Sequence, residues 1–115
     1  MILSRMEQYP ERLNGLFQAL ADPTRRAVLG QLSKGPASVS ELAKPFDMAL
    51  PSFMKHIHLL EDSGWILTRK DGRVRTCTIK KRAFTTANAW LSAQRALWEA
   101  RFDRLDALVE GREDD

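Results

Sequence analysis

The sequence predicts a mainly α-helical domain that carries one small β-hairpin. Apolar residues recur at three- and four-residue steps through most of the chain, which is typical of amphipathic helices. Two runs rich in β-forming residues, 65–70 and 73–79, flank the dipeptide Asp71-Gly72, and a long helical pattern follows them. With 115 residues, the chain has the length of a single domain, 1–115.

Two helices are predicted at the start of the chain. The first covers about residues 8–20, with its apolar positions at helical spacing: Tyr9, Leu13, Leu16, Phe17 and Leu20. The second follows Asp22, a favoured N-cap residue, and Pro23, which suits the first helical position. It ends at Lys34-Gly35-Pro36, because glycine often follows a helix and proline cannot continue one. Its predicted buried residues are Val28, Leu29 and Leu32.

A short strand and two further helices are predicted next. The strand candidate lies around Val39, and Ser40 is expected to cap a helix of little more than one turn that Pro45 limits. The following helix covers 50–62. Its predicted buried face is Leu50, Phe53, Met54, Ile57 and Leu60, and its opposite face carries Ser52, Lys55 and His56.

The histidines at 56 and 58 raise the question of a metal site. A strand would point both imidazoles the same way, whereas a helix separates them by about 200°. Because the apolar residues around them repeat with helical spacing, His56 and His58 are expected on different sides and cannot chelate one ion. We expect His58 to be structural or solvated.

The hairpin is predicted to turn at Asp71-Gly72, a dipeptide favoured in two-residue type I′ turns. A long helix is then predicted from about Lys81 to about Leu108, with two apolar stripes. The first stripe is Phe84, Leu91, Trp98 and Leu105, with Phe102 and Val109 beside it, and the second is Trp90, Leu97 and Leu108. We expect one stripe to cover the domain's own core and the other to pack on a partner, since large apolar patches are rarely left in water.

Charge and cysteine content narrow the function classes. The net charge is only +3, yet residues 51–82 hold eight Lys/Arg against three acidic residues, which indicates a polyanion partner or, alternatively, a solvated charged face. Cys77 is the only cysteine, which fits a reducing compartment. Neither a bilayer-spanning apolar run nor a secretory signal is recognisable, so we expect a cytoplasmic protein without a membrane partner.

The predicted element order, α-α-β-α-α-β-β-α, is that of a winged helix-turn-helix. Three blocks carry a more specific resemblance: LADPTRRAVLGQL, SVSELAKPFDMALPSFMKHIHLLEDSGWI and KDGRVRTCTI. Over about residues 12–80 the sequence resembles the ArsR-type transcriptional repressors. The resemblance implies a homodimeric, cytosolic, sequence-specific repressor that reads double-stranded DNA with about residues 38–80. It also implies that helix 50–62 lies in the major groove and that the 71–75 wing reaches the backbone or minor groove.

The candidate site residues follow from this resemblance and from side-chain chemistry. The candidate DNA-binding residues are Ser52, Lys55, His56, Arg73 and Arg75, which are donors suited to base edges and phosphates. The candidate dimer residues are Tyr9, Leu13, Leu16, Trp90, Leu97 and Leu108, on helices of about 8–20 and 82–109. The alternative function is a winged-helix module that binds another protein through the tryptophan-bearing helix and does not bind DNA. No catalytic constellation or phosphate-binding loop is recognisable, so no enzyme activity or cofactor is predicted.

Two positions depart from the resemblance. Ala49 stands where a small hydroxyl residue is expected, which removes an N-cap worth about 1 kcal/mol, and Met54 stands where a serine is expected. Metal-sensing relatives place cysteines in the short third helix or Asp/His/Glu sets along the last helix; in this chain the third helix has no cysteine and the last helix has no histidine. Cys77 is expected to be a small buried side chain. The resemblance therefore implies the branch without metal sites, and the effector stays open among a small molecule, a partner protein or none.

Overall fold

The computed structural model describes the backbone of residues 12–113 and the side chains of residues 12–110. Within this range the element order is the predicted one, with a winged helix-turn-helix topology, which confirms the fold class. The elements are α1 (12–19), α2 (Pro23–Leu32), β1 (Ala37–Ser38), α3 (Val39–Ala43), α4 (Leu50–Asp62), β2 (Ile66–Asp71), β3 (Val74–Ile79) and α5 (Lys81–Glu113).

The N-termini of α2 and α3 are fixed by side-chain caps. Asp22 caps α2 as predicted, accepting a hydrogen bond from the backbone N–H of Arg25 at 3.1 Å. The predicted cap of α3 is wrong by two residues, because Ser38 occupies that position and not Ser40. The Ser38 hydroxyl accepts from the backbone N–H of Glu41 at 3.1 Å, which caps the helix, and donates to the Glu41 carboxylate at 3.1 Å. Val39 is consequently the first residue of the helix and not part of the strand.

The sheet has three antiparallel strands in the order β1-β3-β2, and its hairpin forms the wing. Asp71 pairs with Val74, so the two turn residues are Gly72 and Arg73, one residue later than predicted. Gly72 has a φ of 63°, whereas no non-glycine residue in the described chain has a positive φ. Positive φ at the first turn residue alone is the requirement of a type II′ turn, so the predicted type I′ turn is wrong.

The core lies between α2, α4 and the sheet. The predicted stripe of α2 is buried, and Phe53, Ile57 and Leu60 bury the inner face of α4. Leu50, which was predicted on that face, is 57% exposed because it precedes the stretch of α4 that packs on the core. Trp65 is buried next to α1, where its indole N–H donates to the carbonyl oxygen of Leu16 at 2.8 Å.

The long helix α5 departs from the sequence prediction in how it packs. Its only buried side chains within residues 81–110 are Ala83 and Ala87, and each predicted stripe contacts the rest of the domain through its first residue: Phe84 packs edge-to-face on the buried Trp65, and Trp90 packs on Phe17. Alanine lets the helix backbone approach the core closely, and at 100° per residue the two alanines lie between the stripes. The 33 residues of α5 extend about 50 Å, and most of this length runs past the core.

A single residue joins the wing to α5. Strand β3 ends at Ile79 and α5 begins at Lys81. The backbone N–H of Lys80 donates to the carbonyl oxygen of Trp65 at 2.8 Å, which fixes this joint to the start of the hairpin. No helix in the described part of the chain has the length and apolar character that a bilayer crossing requires.

Candidate nucleic-acid interface

The outward face of α4 presents two of the predicted DNA-binding residues. Ser52 and Lys55 are both exposed, and Phe53, between them in sequence, is buried and anchors the helix. Ala49 has the extended backbone of an N-cap, with φ −63° and ψ 146°, but no side-chain bond to the helix. As expected from the alanine, the first turn of α4 therefore relies on Pro51 and on packing for its start.

His56 lies at the margin of this face and contacts α2. Its side chain is 22% exposed, and its Nδ1 atom is 3.3 Å from the Nη1 atom of Arg25 and 3.8 Å from the Oδ2 atom of Asp22. The sequence placed His56 fully on the outward face, and this placement needs correction, since α2 covers one edge of the ring. His58 is exposed and points elsewhere, so the two imidazoles do not converge.

Arg25 is the residue of this region that the sequence prediction missed. Its Nε atom donates to the carbonyl oxygen of Ala19 at 2.7 Å, and its Nη2 atom donates to that of Gln18 at 3.2 Å. It therefore joins the end of α1, the start of α2 and the middle of α4. The one local feature that points to Arg25 is its position three residues after the Asp22 cap. The contact with His56 has no local signal, because the two residues are 31 positions apart in the sequence.

The carboxylate of Asp22 is stabilised by the same contacts. Partial desolvation raises its pKa, but the hydrogen bond from the backbone of Arg25 and the positive charge of the Arg25 guanidinium outweigh this, so the pKa of Asp22 lies below its ordinary value. Asp22 is thus an ionised cap beside a cationic guanidinium.

The two wing arginines occupy different environments. Arg73 is a turn residue and is exposed. Arg75 is half-buried and donates to the Thr68 hydroxyl at 3.3 Å, and that hydroxyl also bonds the carboxylate of Glu61. Arg75 is thus partly engaged within the protomer, which the sequence did not indicate.

Cys77 is fully buried on β3, as expected of a small core side chain. Burial raises the pKa of its thiol, the charge of Glu61 raises it further, and Arg75 opposes this effect. The thiol is therefore held in its protonated form, which is the less reactive one.

The positive charge of residues 51–82 is not neutralised within the protomer. Seven of its eight Lys/Arg side chains are exposed, and Arg75 is the half-buried exception. Among the described residues, the one ion pair that includes a lysine or arginine is Arg95 with Glu99, and it lies outside this segment. The surface can therefore attract a polyanion.

The predicted dimer residues are distributed unevenly. Trp90, Leu97 and Leu108 are exposed on α5, and the ring of Trp90 packs edge-to-face on Phe17 at 5.8 Å between centroids. Leu13 is half-buried, and Leu16 is buried in the protomer core, which removes its side chain from any protein–protein surface. Tyr9 lies outside the described residues.

The side chains of residues 12–110 contain no group of three or more His, Cys, Asp or Glu residues that could hold a metal ion. The geometry around the histidines explains part of this, since the Nδ1 atom of His56 faces a guanidinium. A winged helix-turn-helix with unpaired positive charge on its hairpin and on α4 is the arrangement of a DNA-binding regulator.

Comparison with known proteins agrees with this class. A family model described as a helix-turn-helix domain matches residues 20–68. The transcriptional repressor SdpR of Bacillus subtilis (strain 168) is 31% identical over 61 residues, which are 53% of this chain and 68% of SdpR. The arsenical resistance operon repressor of Escherichia coli (strain K12) is 39% identical over 59 residues, which are 50% of each chain.

Two solved structures extend the comparison. A crystal structure of an ArsR family transcriptional regulator is 78% identical, has a TM-score of 0.76, and covers 78% of this chain and 93% of that chain. The solution NMR structure of the homodimeric winged helix-turn-helix DNA-binding domain of a possible ArsR-family regulator from Mycobacterium bovis is 22% identical and has a TM-score of 0.64. It covers 81% of this chain and 88% of that chain, and it shows the fold alone.

The chain belongs to the ArsR family of transcriptional regulators. It is a DNA-binding regulator and not an enzyme. The aligned stretch is 68% of SdpR but only 52% and 50% of the next two curated relatives.

Proposed function

We propose that the protein is a dimeric repressor that binds an inverted-repeat operator through α4 and the 71–75 wing. The observation that carries the proposal is the unneutralised positive surface of residues 51–82, which lies mainly on the wing and at its joint with α5 and includes Lys55 on α4. The phosphate backbone supplies most of the affinity of such proteins, and free lysines and arginines are the groups that engage it.

The exposure of each side chain suggests the part of the DNA that it contacts. Ser52 and Lys55 are free donors on the outward face of α4 and are suited to base edges in the major groove. Arg73 at the wing turn is suited to phosphate or to a narrow minor groove. Arg75 contributes less directly, because its guanidinium already bonds Thr68.

The proposed dimer rests on the apolar face of α5. The exposed large apolar residues of α5 are Phe84, Trp90, Leu91, Leu97, Trp98, Phe102, Leu105, Leu108 and Val109. At 100° per residue they fall within an arc of about 140° that also contains Gln94 and Arg101, so the two stripes border one mainly apolar face. A two-fold dimer would bury this face from both chains and set two α4 helices about 34 Å apart, one turn of DNA. The homodimeric neighbour from Mycobacterium bovis supports this arrangement.

The test is binding to duplexes selected from a random pool, measured over a range of salt concentrations. Lys55→Ala is expected to lower affinity for the selected duplex more than for random duplex, because it removes a base-reading donor. Arg73→Ala is expected to lower affinity for both and to reduce the slope of log affinity against log salt by about 1, because it removes a phosphate contact.

Arg95→Ala is the matched control. It also removes one positive charge, but from an exposed position on α5, where Arg95 pairs with Glu99 at the surface. If Lys55→Ala and Arg73→Ala bind both duplexes as well as the Arg95→Ala control does, the assigned DNA face is wrong.

A further inference from the structure

Arg25 connects the recognition helix to the end of α1 through a network that DNA binding as described does not explain. Its guanidinium donates to the carbonyl oxygens of Ala19 and Gln18, at 2.7 and 3.2 Å, and its remaining nitrogen lies 3.3 Å from the Nδ1 atom of His56. The neighbouring Arg26 makes a similar bond to a carbonyl, that of Leu20 at 2.7 Å, but no hydrogen bond to α4 is present. Arg25 thus differs from Arg26 in its second carbonyl bond, to Gln18, and in its contact with His56.

The chemistry of the pair determines the state of the imidazole. A guanidinium has only donors, so in a hydrogen bond with Arg25 the Nδ1 atom of His56 accepts and carries no proton; the Asp22 carboxylate, 3.8 Å from the same atom, lies beyond hydrogen-bond distance. A neutral imidazole then carries its proton on Nε2, the nitrogen at the far end of the ring. No described residue bonds Nε2, and no buried side-chain nitrogen or oxygen among the described residues lacks a partner. Nε2 therefore reaches solvent as a free N–H donor.

We propose that Arg25 is a positioning residue for DNA recognition: it holds His56 in the Nε2–H tautomer, so that the edge of α4 presents a hydrogen-bond donor to an acceptor on DNA. This inference rests on the proposed function, because it requires that the outward face of α4 meets DNA. The acceptor is a phosphate oxygen or an acceptor atom of a base edge, such as N7 or O6 of guanine. A cytosine or adenine amino group, being a donor, is disfavoured at this position.

The same contact ties the orientation of α4 to α1. Because one planar guanidinium bonds both the end of α1 and the ring of His56, a shift of α1 relative to α4 breaks the Arg25–His56 contact. Lysine at position 25 keeps the charge but, with a single nitrogen, cannot make bonds in the same fork. Arg25→Lys is therefore the conservative variant that separates positioning from charge.

The first experiment reads the tautomer directly and does not depend on DNA. Two-bond proton–nitrogen NMR spectra of the imidazoles should show the Nε2–H form for His56 in the parent protein, and a mixture of tautomers in Arg25→Lys. Arg26→Lys, the matched control, should retain the parent spectrum. An Nδ1–H tautomer in the parent, or an Arg25→Lys spectrum identical to that of the parent, would overturn the proposal.

The second experiment is a double-mutant cycle on DNA affinity. His56→Leu is expected to weaken binding by about tenfold, the effect of one lost hydrogen bond, and His56→Gln should recover part of this through its amide N–H. Arg25→Lys should weaken binding in the parent but have little further effect in the His56→Leu background, because the two residues act through one contact. If the fold-losses in DNA affinity of the two single variants multiply in the double variant, the residues act independently and the coupling is refuted. Thermal unfolding of each variant shows whether it is folded.

Comparing selected with random duplex shows whether His56 donates to a phosphate or to a base edge. A His56→Leu loss that is equal on selected and random duplex indicates phosphate, a loss confined to the selected duplex indicates a base edge, and no loss on either overturns the proposal. Lys55→Ala keeps the two proposals separable. If Lys55→Ala weakens binding and His56→Leu does not, this inference fails alone, and if neither weakens binding, the proposed DNA face fails with it.

Discussion

Leu97→Glu is the sharpest test of the dimer, because the Leu97 side chain makes few contacts within its own protomer. Leu97 is 66% exposed there, so the substitution should change the free energy of unfolding of an isolated protomer by no more than about 0.5 kcal/mol. In a dimer that buries the α5 face, the same change introduces a carboxylate into an apolar interface twice, once from each chain.

The magnitude follows from the exposed area. Fully burying a leucine is worth about 1.5–3 kcal/mol, so burying the exposed two-thirds of Leu97 is worth about 1–2 kcal/mol per chain and about 2–4 kcal/mol per dimer. At about 1.4 kcal/mol per tenfold, the dimer dissociation constant should rise by about 30- to 700-fold before the desolvation of the carboxylate is added. A monomer holds only one α4, so operator affinity should fall when the dimer dissociates.

The assay is sedimentation equilibrium over a range of protein concentrations, followed by operator binding at the same concentrations. Ala96→Glu is the matched control, since it places the same charge one residue earlier, on the opposite side of α5 from the apolar arc. A parent protein that sediments as a monomer at micromolar concentration, or a Leu97→Glu variant that sediments like Ala96→Glu, would refute the reasoning.

Three further outcomes are expected. Ala49→Asp should raise the free energy of unfolding by about 1 kcal/mol in chemical denaturation, because position 49 already has N-cap geometry without a side-chain bond; no gain would mean that the first turn of α4 is already held in another way. Asp22→Ala should cost about 1 kcal/mol at neutral pH. Because the folded protein lowers the pKa of Asp22, the ionised carboxylate stabilises the fold more than the protonated group does. This part of the contribution is complete above the ordinary carboxyl pKa and is lost as the pH falls through the lowered one, so the stability difference between variant and parent should shrink in acid, and an unchanged difference there would contradict the assignment. Stoichiometric zinc should leave DNA affinity unchanged in gel-shift titrations with and without chelator, since His56 and His58 do not converge; metal-dependent release of DNA would refute this.

The sequence predicted the fold where local chemistry decides the structure. Asp22 and Pro23 fixed the start of α2, and the apolar spacing around Phe53 identified α4 as a helix and excluded paired histidine ligands. The two errors in this part are also local. At β1 and α3 the cap is Ser38, whose hydroxyl bonds both the backbone N–H and the carboxylate of Glu41, and not Ser40. At the wing, glycine occupies the first turn position, which shifts the turn by one residue.

The packing of α5 and the contacts of His56 could not be predicted in the same way. Periodicity shows that Phe84 and Trp90 belong to an apolar helix, but it cannot show that the small Ala83 and Ala87 between them allow the closest approach to the core. Likewise, nothing near His56 in the sequence indicates that Arg25 faces it, because the contact depends on how two helices cross. Long-range contacts of this kind decide which residues of the candidate site are free to meet DNA.

The single-residue joint at Lys80 has a consequence for the choice of operator. With β3 ending at Ile79, α5 starting at Lys81 and Lys80 bonded to Trp65, no flexible linker separates the wing from the helix proposed to dimerise. In the proposed dimer each protomer therefore acts as a rigid arm, and loop motion cannot adjust the distance between the two halves of the DNA site. The angle at which two copies of α5 cross then sets the spacer length that the protein accepts, so selection for a new spacer would act on the apolar face of α5 before it acted on the residues that touch the bases.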